Sequence, residues 1–328
     1  MKLHENKTLF RQAVQFTADQ MKIPAIYVEK DYWLTYVLFT IFNNEIGKDT
    51  VFKGGTALSK CYNMIERFSE DIDLVVLRRE GETDSKLKSK LKTVSTVVEV
   101  VLPEVPIEGI THKMGMNRKT AHSYSKEFKG DYGQVKDIII LESTWLGYYE
   151  PYTTKRIISF VGQMMLDNNQ SDIAKENGLL SFDLLALEPI ITICEKIMSL
   201  VRFSYGENPM DDLKKKIRHT YDLHQLLKEN EFLQFFQSTS FDEMLLKVAN
   251  DDVLSFKNNK WVVYHPNEAL FFKDFENVWS ELKTIYNGDF KNLVYGELPK
   301  EEAILKTLKM IQERLTTISW TIKIEPKG

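Results

Sequence analysis

The chain has 328 residues, of which 43% are hydrophobic and 27% charged, so it is long and apolar enough for two domains that each bury a core. Its formal net charge of −4 excludes a global positive field that would attract nucleic acid or an anionic membrane, and any such contact must be local. Cys61 and Cys194 lack the spacing of a metal site, and we expect both to be reduced core residues. No apolar run approaches the roughly 20 residues of a membrane span, so we expect a cytoplasmic protein with no membrane partner.

Helices and strands alternate in the first half of the chain. Apolar residues recur at spacings of three and four over 6–21 and 27–42, which predicts two helices that cover a small sheet. The segments VFK (51–53) and IDLVVL (72–77) predict strands, with a turn and a helix between them. Another helix is expected over 85–102, and VKDIIILESTWL (135–146) predicts a third strand.

The pattern becomes helical in the second half. Helical periodicity is present in the segments 184–203, 210–227, 267–286 and 301–318. We therefore predict an α+β protein with an α/β domain over residues 1–166 and a helical domain over 167–328.

Two aspartates alternate on the predicted second strand. Asp71 and Asp73 would project from the same face about 7 Å apart, while Ile72 faces the core. The two carboxylates repel each other, and a pair of Mg²⁺ ions, or Mn²⁺ in their place, would relieve the repulsion. An Asp-x-Asp pair also arises by chance in a chain of this length, so the pair alone is weak evidence.

A glycine pair precedes the helix between those strands. Gly54 and Gly55 lack a Cβ, so bare N–H groups at a helix start can approach a phosphate, and Thr56 adds a hydroxyl. The alternative is a tight strand-to-helix turn that Thr56 caps. Glu142 directly follows the run IIIL and would leave the sheet at the mouth of a site as a third carboxylate; the alternatives are a solvated strand end, and Asp137 as the third carboxylate.

Three further features carry charge. Lys196 lies in an otherwise apolar helix, so it must reach water or meet an anion such as a triphosphate, and Arg202 is a second candidate phosphate ligand with the same ambiguity. Asp222 is most simply part of a solvated face or a structural ion pair. The segment 111–136 interleaves basic and aromatic residues, which suits a single-stranded RNA end or, alternatively, a solvated loop.

These motifs occur in a familiar order. FKGGTALSK followed by RFSEDIDL resembles the nucleotidyltransferases of the AbiEii/AbiGii abortive-infection toxin family, within the polymerase-β-like superfamily. VEKDYWLTYVL upstream, and EKIMSLVRF and IRHTYDLHQLL downstream, are similar to the remaining blocks of that family. The resemblance covers about residues 25 to 230.

The resemblance implies a polymerase-β-like core with a mixed sheet, followed by a helical domain that contributes to the nucleotide site. It also implies roles for particular residues. Gly54, Gly55 and Thr56 would form the phosphate loop. Ser69, Asp71 and Asp73 would belong to the metal and triphosphate site. Lys196 would reach the nucleotide, with Asp222 beside it.

We therefore predict a metal-dependent enzyme that transfers NMP from an NTP to an acceptor hydroxyl and releases pyrophosphate. By resemblance the acceptor is RNA, at the 3′ end of tRNA, and the protein is a toxin silenced by a cognate antitoxin. One alternative acceptor is a small molecule or a protein side chain. Another alternative is a catalytically silent module that holds a nucleotide or the antitoxin.

Overall fold

The computed structural model describes residues 1–69, 71–132, 135–147, 150–256 and 258–324. The chain divides into two compact units. The first comprises Met1–Asn63, Arg67–Trp145 and Tyr152–Leu187, and the second comprises Met64–Glu66, Leu146–Pro151 and Glu188–Gly328. Within the described ranges, no helix combines the length and the apolar character that a membrane span requires.

A mixed sheet is the centre of the first unit. Its strands are β1 (Thr50–Lys53), β2 (Asp71–Val76), β3 (Asn117–His122), β4 (Ile139–Thr144), β5 (Tyr152–Ile157) and β6 (Phe182–Leu187). Their spatial order is β3-β4-β2-β1-β6-β5. β2 runs antiparallel to β1 and parallel to β4, whereas β3 runs antiparallel to β4. β2 and β4 therefore lie side by side, with β1 on the other side of β2 and β3 on the other side of β4.

Helices of the first unit supply the rest of its core. They are α1 (Lys7–Met21), α2 (Ala25–Phe42), α3 (Gly54–Tyr62), α4 (Asp84–Glu99), α5 (Phe160–Asp167) and α6 (Ser171–Glu176). Apolar residues of α2, such as Val37 and Ile41, are fully buried, as is Leu87 of α4. Burial of such side chains supplies most of the free energy that stabilises the unit.

Helix α2 also buries charge, and this charge fixes the position of α3. Asp31 is 4% exposed, and its carboxylate forms an ion pair of 2.6 Å with Lys60 on α3. The same carboxylate accepts a hydrogen bond of 2.8 Å from the backbone N–H of Phe160. Because a buried carboxylate is tolerated only with such partners, this contact gives α3 a defined position against α2.

The second unit is helical. Its helices are α7 (Pro189–Phe203), α8 (Pro209–Lys214), α9 (Ile217–Lys228), α10 (Asn230–Gln237), α11 (Thr239–Ser255), α12 (Leu270–Lys273), α13 (Phe275–Ile285) and α14 (Glu301–Leu315). Its core includes Ile193 of α7, Leu223 of α9 and Leu308 of α14. Pro189 is the first residue of α7, where its missing N–H costs no helical hydrogen bond.

The α+β fold class predicted from the sequence is confirmed, with its mixed sheet and its helical second half. The helical prediction for 184–203 is wrong at its start, because Leu184–Leu187 belong to β6, which pairs with β1 and β5. A leucine-rich run satisfies helix and strand patterns alike, so tertiary pairing decides its structure. Strands β3 and β5 were also missing from the prediction.

Candidate active site

A row of charged side chains crosses four neighbouring strands of the sheet. The strand register pairs Lys53 of β1 with Asp73 of β2, Asp73 with Glu142 of β4, and Glu142 with Lys119 of β3. Directly opposite residues on neighbouring strands point to the same face of a sheet. Two carboxylates therefore lie side by side between two lysines, and we call these four residues the charged row.

Asp71 lies on the same face of the sheet as the charged row, two residues before Asp73 on β2. Successive side chains of β2 point to opposite faces of the sheet. Asp71 and Asp73 are therefore partly exposed on one face, whereas Ile72 and Leu74 are buried on the other. Glu142 lies inside β4 rather than beyond its end, contrary to the expectation from sequence. The parallel pairing of β2 with β4 is what brings it opposite Asp73.

The glycine pair at the start of α3 is packed against these carboxylates. Gly54 has a φ of +79°, and a Cβ at this position would lie 2.3 Å from Asp73 Oδ2. A Cβ at Gly55 would lie 2.6 Å from Nη2 of the buried Arg67 and 3.2 Å from Ser69 Oγ. The positive φ of Gly54 and the close approach of Asp73 thus favour glycine at this position, whereas a Cβ at Gly55 would require the Arg67 guanidinium to shift.

Thr56 joins the glycine turn to β2. Its hydroxyl donates a hydrogen bond of 2.6 Å to the backbone carbonyl of Asp71 and lies 2.9 Å from Ser69 Oγ. Thr56 is 2% exposed, so these contacts are shielded from water. The hydroxyl therefore links the turn to the strand that carries both aspartates.

Asp73 lies beside two other carboxylates, which disfavour its own negative charge. Burial is the largest cause that raises the pKa of its carboxyl to about 7, and the neighbouring carboxylates of Glu142 and Asp71 raise it further. Lys53 and Lys119 act in the opposite direction. Carboxylates that are close together and partly desolvated favour a bound cation, because the cation removes the repulsion that raises the pKa.

The types of side chain present fit a magnesium or manganese site. Carboxylates are the protein ligands that these hard cations prefer, and the missing Cβ of Gly54 lets Asp73 Oδ2 lie directly against the glycine turn. Among the described residues, however, no group of three or more His, Cys, Asp and Glu side chains is arranged as it would be around an ion. Glu142 instead pairs with Lys119, at 2.8 Å between Oε2 and Nζ.

Three predicted site residues belong to the second unit. Lys196 of α7 forms an ion pair with Asp222 of α9, with Nζ 2.6 Å from Oδ2. Both side chains are buried, at 6% and 0% exposure, so Lys196 does not reach water along the helix surface. The guanidinium of Arg202 stacks over the ring of Phe256, 4.0 Å from its centroid.

The alternative third carboxylate, Asp137, precedes β4. It is exposed and pairs with Lys126, whose hydrogen bond lowers the pKa of the Asp137 carboxyl. Elsewhere in the basic segment, Lys113 pairs with Glu104 at 2.5 Å and Arg118 donates to Ser95 Oγ at 2.6 Å. Residues Asn117–His122 of the segment form β3, and Lys113, Arg118 and Lys126 make contacts within the first unit.

Lys53 and Lys119 are the residues of the charged row that sequence reasoning did not assign to the site. Lys53 directly precedes the glycine pair, and Lys119 lies in the basic segment. Lys119 could have been assigned to the site only from the register of its strand with the strand that carries Glu142. That register depends on contacts between residues that are distant in sequence.

Comparison with known proteins identifies the family of the chain. The model of the family described as nucleotidyl transferase AbiEii toxin, type IV toxin–antitoxin system, matches residues 36–305. The chain belongs to this family of nucleotidyltransferase toxins. Comparison with curated proteins found no match.

The chain also matches two solved structures at low sequence identity. JHP933 from Helicobacter pylori is 13% identical, with 90% of this chain and 95% of that chain covered and a TM-score of 0.43. MenT4, a nucleotidyltransferase toxin from Mycobacterium tuberculosis H37Rv, is 15% identical, with 91% and 98% covered and a TM-score of 0.45.

The contact between Gly54 and Asp73 can be tested with a matched pair of substitutions. Gly54→Ala should lower the rate of nucleotide transfer by about 10²-fold, because its Cβ displaces a carboxylate of the site. Gly81→Ala is the control: Gly81 has a φ of +76°, and its Cβ would meet nothing within 4 Å. Both variants should lose roughly 1–2 kcal/mol of stability from the positive φ, measured by urea unfolding. Equal transfer rates for the two variants would contradict a role for this contact.

Proposed function

We propose that the protein transfers NMP from an NTP to an acceptor hydroxyl, in a reaction that depends on divalent metal ions. The observation that supports this most strongly is that Asp71, Asp73 and Glu142 share one face of the sheet directly beside the Gly54–Thr56 turn. Phosphoryl transfer requires a metal-binding site and a phosphate-binding site next to each other. The stability of the fold does not require a cluster of carboxylates.

The turn would hold the triphosphate. Gly54 and Gly55 are partly exposed and have no side chains, so phosphates could approach backbone N–H groups at the start of α3, where the positive end of the helix dipole favours them. The hydroxyl groups of Thr56 in α3 and of Ser69, which precedes β2, are 2.9 Å apart and support the same turn. This arrangement would orient the α-phosphorus for in-line attack, with pyrophosphate as the leaving group.

Asp71, Asp73 and Glu142 would hold two Mg²⁺ ions, or Mn²⁺ in their place. The bound ions would neutralise charge that develops on the phosphate oxygens. Glu142 would also help to activate the acceptor hydroxyl, which it can do as a carboxylate that accepts a proton or a hydrogen bond. Its partner in the structure is Lys119, whose charge-assisted hydrogen bond orients the Glu142 carboxylate.

Lys196, Arg202 and Asp222 are proposed nucleotide-site residues on the basis of the family blocks that contain them. Lys196 would bind the triphosphate, Asp222 would hold the Lys196 ammonium, and Arg202 would be a second phosphate ligand. The 2.6 Å ion pair between Lys196 and Asp222 supports a fixed position for that ammonium.

We further propose that the acceptor is RNA, at the 3′ end of tRNA, and that a cognate antitoxin neutralises the protein in the cytoplasm. The family description, a type IV toxin–antitoxin toxin, supports the biological role. To identify the acceptor, labelled NTP, Mg²⁺ and total RNA are incubated with the protein, and the product is then digested with ribonuclease or protease. Label that resists ribonuclease but not protease would replace RNA by a protein acceptor.

The assignment of Glu142 is testable against Asp137. Glu142→Gln should leave NTP affinity within about threefold and slow transfer by roughly 10²–10⁴-fold, the range for a lost general base. Asp137→Asn is the control, because Asp137 pairs with Lys126 outside the charged row and its loss should not slow transfer. Calorimetric NTP titrations and transfer rates are measured for both variants. Slow transfer by Asp137→Asn alone would make Asp137 the third carboxylate.

A further inference from the structure

Lys119 occupies a particular position in the charged row. It lies directly opposite Glu142 in the register of β3 with β4, and Glu142 lies directly opposite Asp73. Its Nζ is 2.8 Å from Glu142 Oε2, a charge-assisted hydrogen bond. The ammonium therefore lies on the same carboxylate that would complete a metal site.

The charge of Lys119 acts on the whole carboxylate group. Burial alone would lower the pKa of Lys119, but Glu142, Asp71 and Asp73 together raise it above its usual value. Lys119 in turn opposes the rise in the pKa of Asp73. The lysine is thus a monovalent cation that already neutralises part of the negative charge a divalent cation would neutralise.

This contact can be opened without disrupting the core. The side chains of Lys119 and Glu142 keep 34% and 41% of their surface exposed, so the ammonium can move into water when another cation arrives. Lys113 and Lys126 of the same segment have other partners, Glu104 and Asp137, neither of which belongs to the charged row.

We propose that Lys119 is the resident counter-ion of the carboxylates, and that a divalent cation binds by displacing its ammonium from Glu142. Lys119 then weakens the binding of free metal to the empty site. The metal binds tightly only together with an NTP, whose phosphates supply further ligands and charge. This inference rests on the proposed function, because it assigns Asp71, Asp73 and Glu142 to a metal.

Manganese affinity of the nucleotide-free protein tests the inference. Mn²⁺ is titrated into wild type, Lys119→Met and Lys119→Arg, and the free ion is followed by electron paramagnetic resonance. Removing a positive charge a few ångströms from a divalent ion should tighten binding by at least about tenfold in Lys119→Met. Lys119→Arg keeps the charge and should stay within about threefold of wild type, as should Lys113→Met, a matched loss of charge from the same segment.

The outcomes separate the inference from the proposed function. Unchanged, weaker or undetectable Mn²⁺ binding by Lys119→Met overturns the counter-ion role, provided that thermal unfolding shows a folded protein; Lys119→Gln replaces it otherwise. Asp73→Asn should bind Mn²⁺ more weakly than wild type, which is the opposite of the effect expected for Lys119→Met. If Asp73→Asn binds Mn²⁺ as well as wild type, both with and without NTP, the metal site of the proposed function fails as well.

Discussion

Replacing Asp73 by Asn is expected to abolish nucleotide transfer while leaving the protein folded. The substitution removes a charged metal ligand but changes side-chain volume very little. Metal ions in such sites contribute several kcal/mol to transition-state stabilisation, which corresponds to at least about 10³-fold in rate. Asp71→Asn should have an effect of the same kind, because Asp71 lies on the same face of β2.

The stability of Asp73→Asn provides a second readout. Burial and the carboxylates of Glu142 and Asp71 disfavour the charge of Asp73, so in the absence of metal the variant should be at least as stable as wild type. Asp183→Asn is the control, since Asp183 is an exposed partner of Arg156 and carries no proposed role. Undiminished label incorporation by Asp73→Asn would remove the carboxylates from the mechanism.

Lys196→Ala should reduce both stability and NTP affinity. Asp222 is fully buried, and loss of the lysine leaves its carboxylate without the partner at 2.6 Å. Breaking a buried pair in this way costs about 3–5 kcal/mol. If Lys196 also binds the triphosphate, NTP affinity measured by calorimetry should fall by more than about tenfold in the protein that remains folded.

A double substitution separates these two effects. Lys196→Met with Asp222→Asn removes both charges and fills similar volume, so it should recover much of the lost stability. NTP affinity should not recover, because the cation is still missing. Recovery of both properties would give the Lys196–Asp222 pair a structural role only.

Part of the site could be predicted from local sequence because it follows from strand alternation. Asp71 and Asp73 had to share a face once IDLVVL was recognised as a strand, and the glycine pair marked the turn before it. The outcome was different for Glu142, whose place inside β4 was missed because a strand end cannot be fixed to within two residues from sequence.

The remainder depends on contacts between distant segments. Lys119 joins Glu142 only through the register of β3, a strand that begins in a polar segment without a clear strand pattern. In the same way, the sequence predicted that Lys196 would contact water or an anion, whereas its partner in the structure is the Asp222 carboxylate from another helix. Side-chain pairing across elements is set by tertiary packing, which a local pattern does not contain.

The most direct test of the central claim compares the fate of the α- and γ-phosphates of the substrate. The protein is incubated with Mg²⁺, total RNA and each common ribonucleoside triphosphate, labelled at either the α- or the γ-phosphorus. The proposed reaction predicts that α-label enters the RNA and that γ-label appears only in pyrophosphate, with neither product formed by Asp73→Asn. Transfer of γ-label to an acceptor, or no α-label transfer from any of the nucleotides, would contradict it.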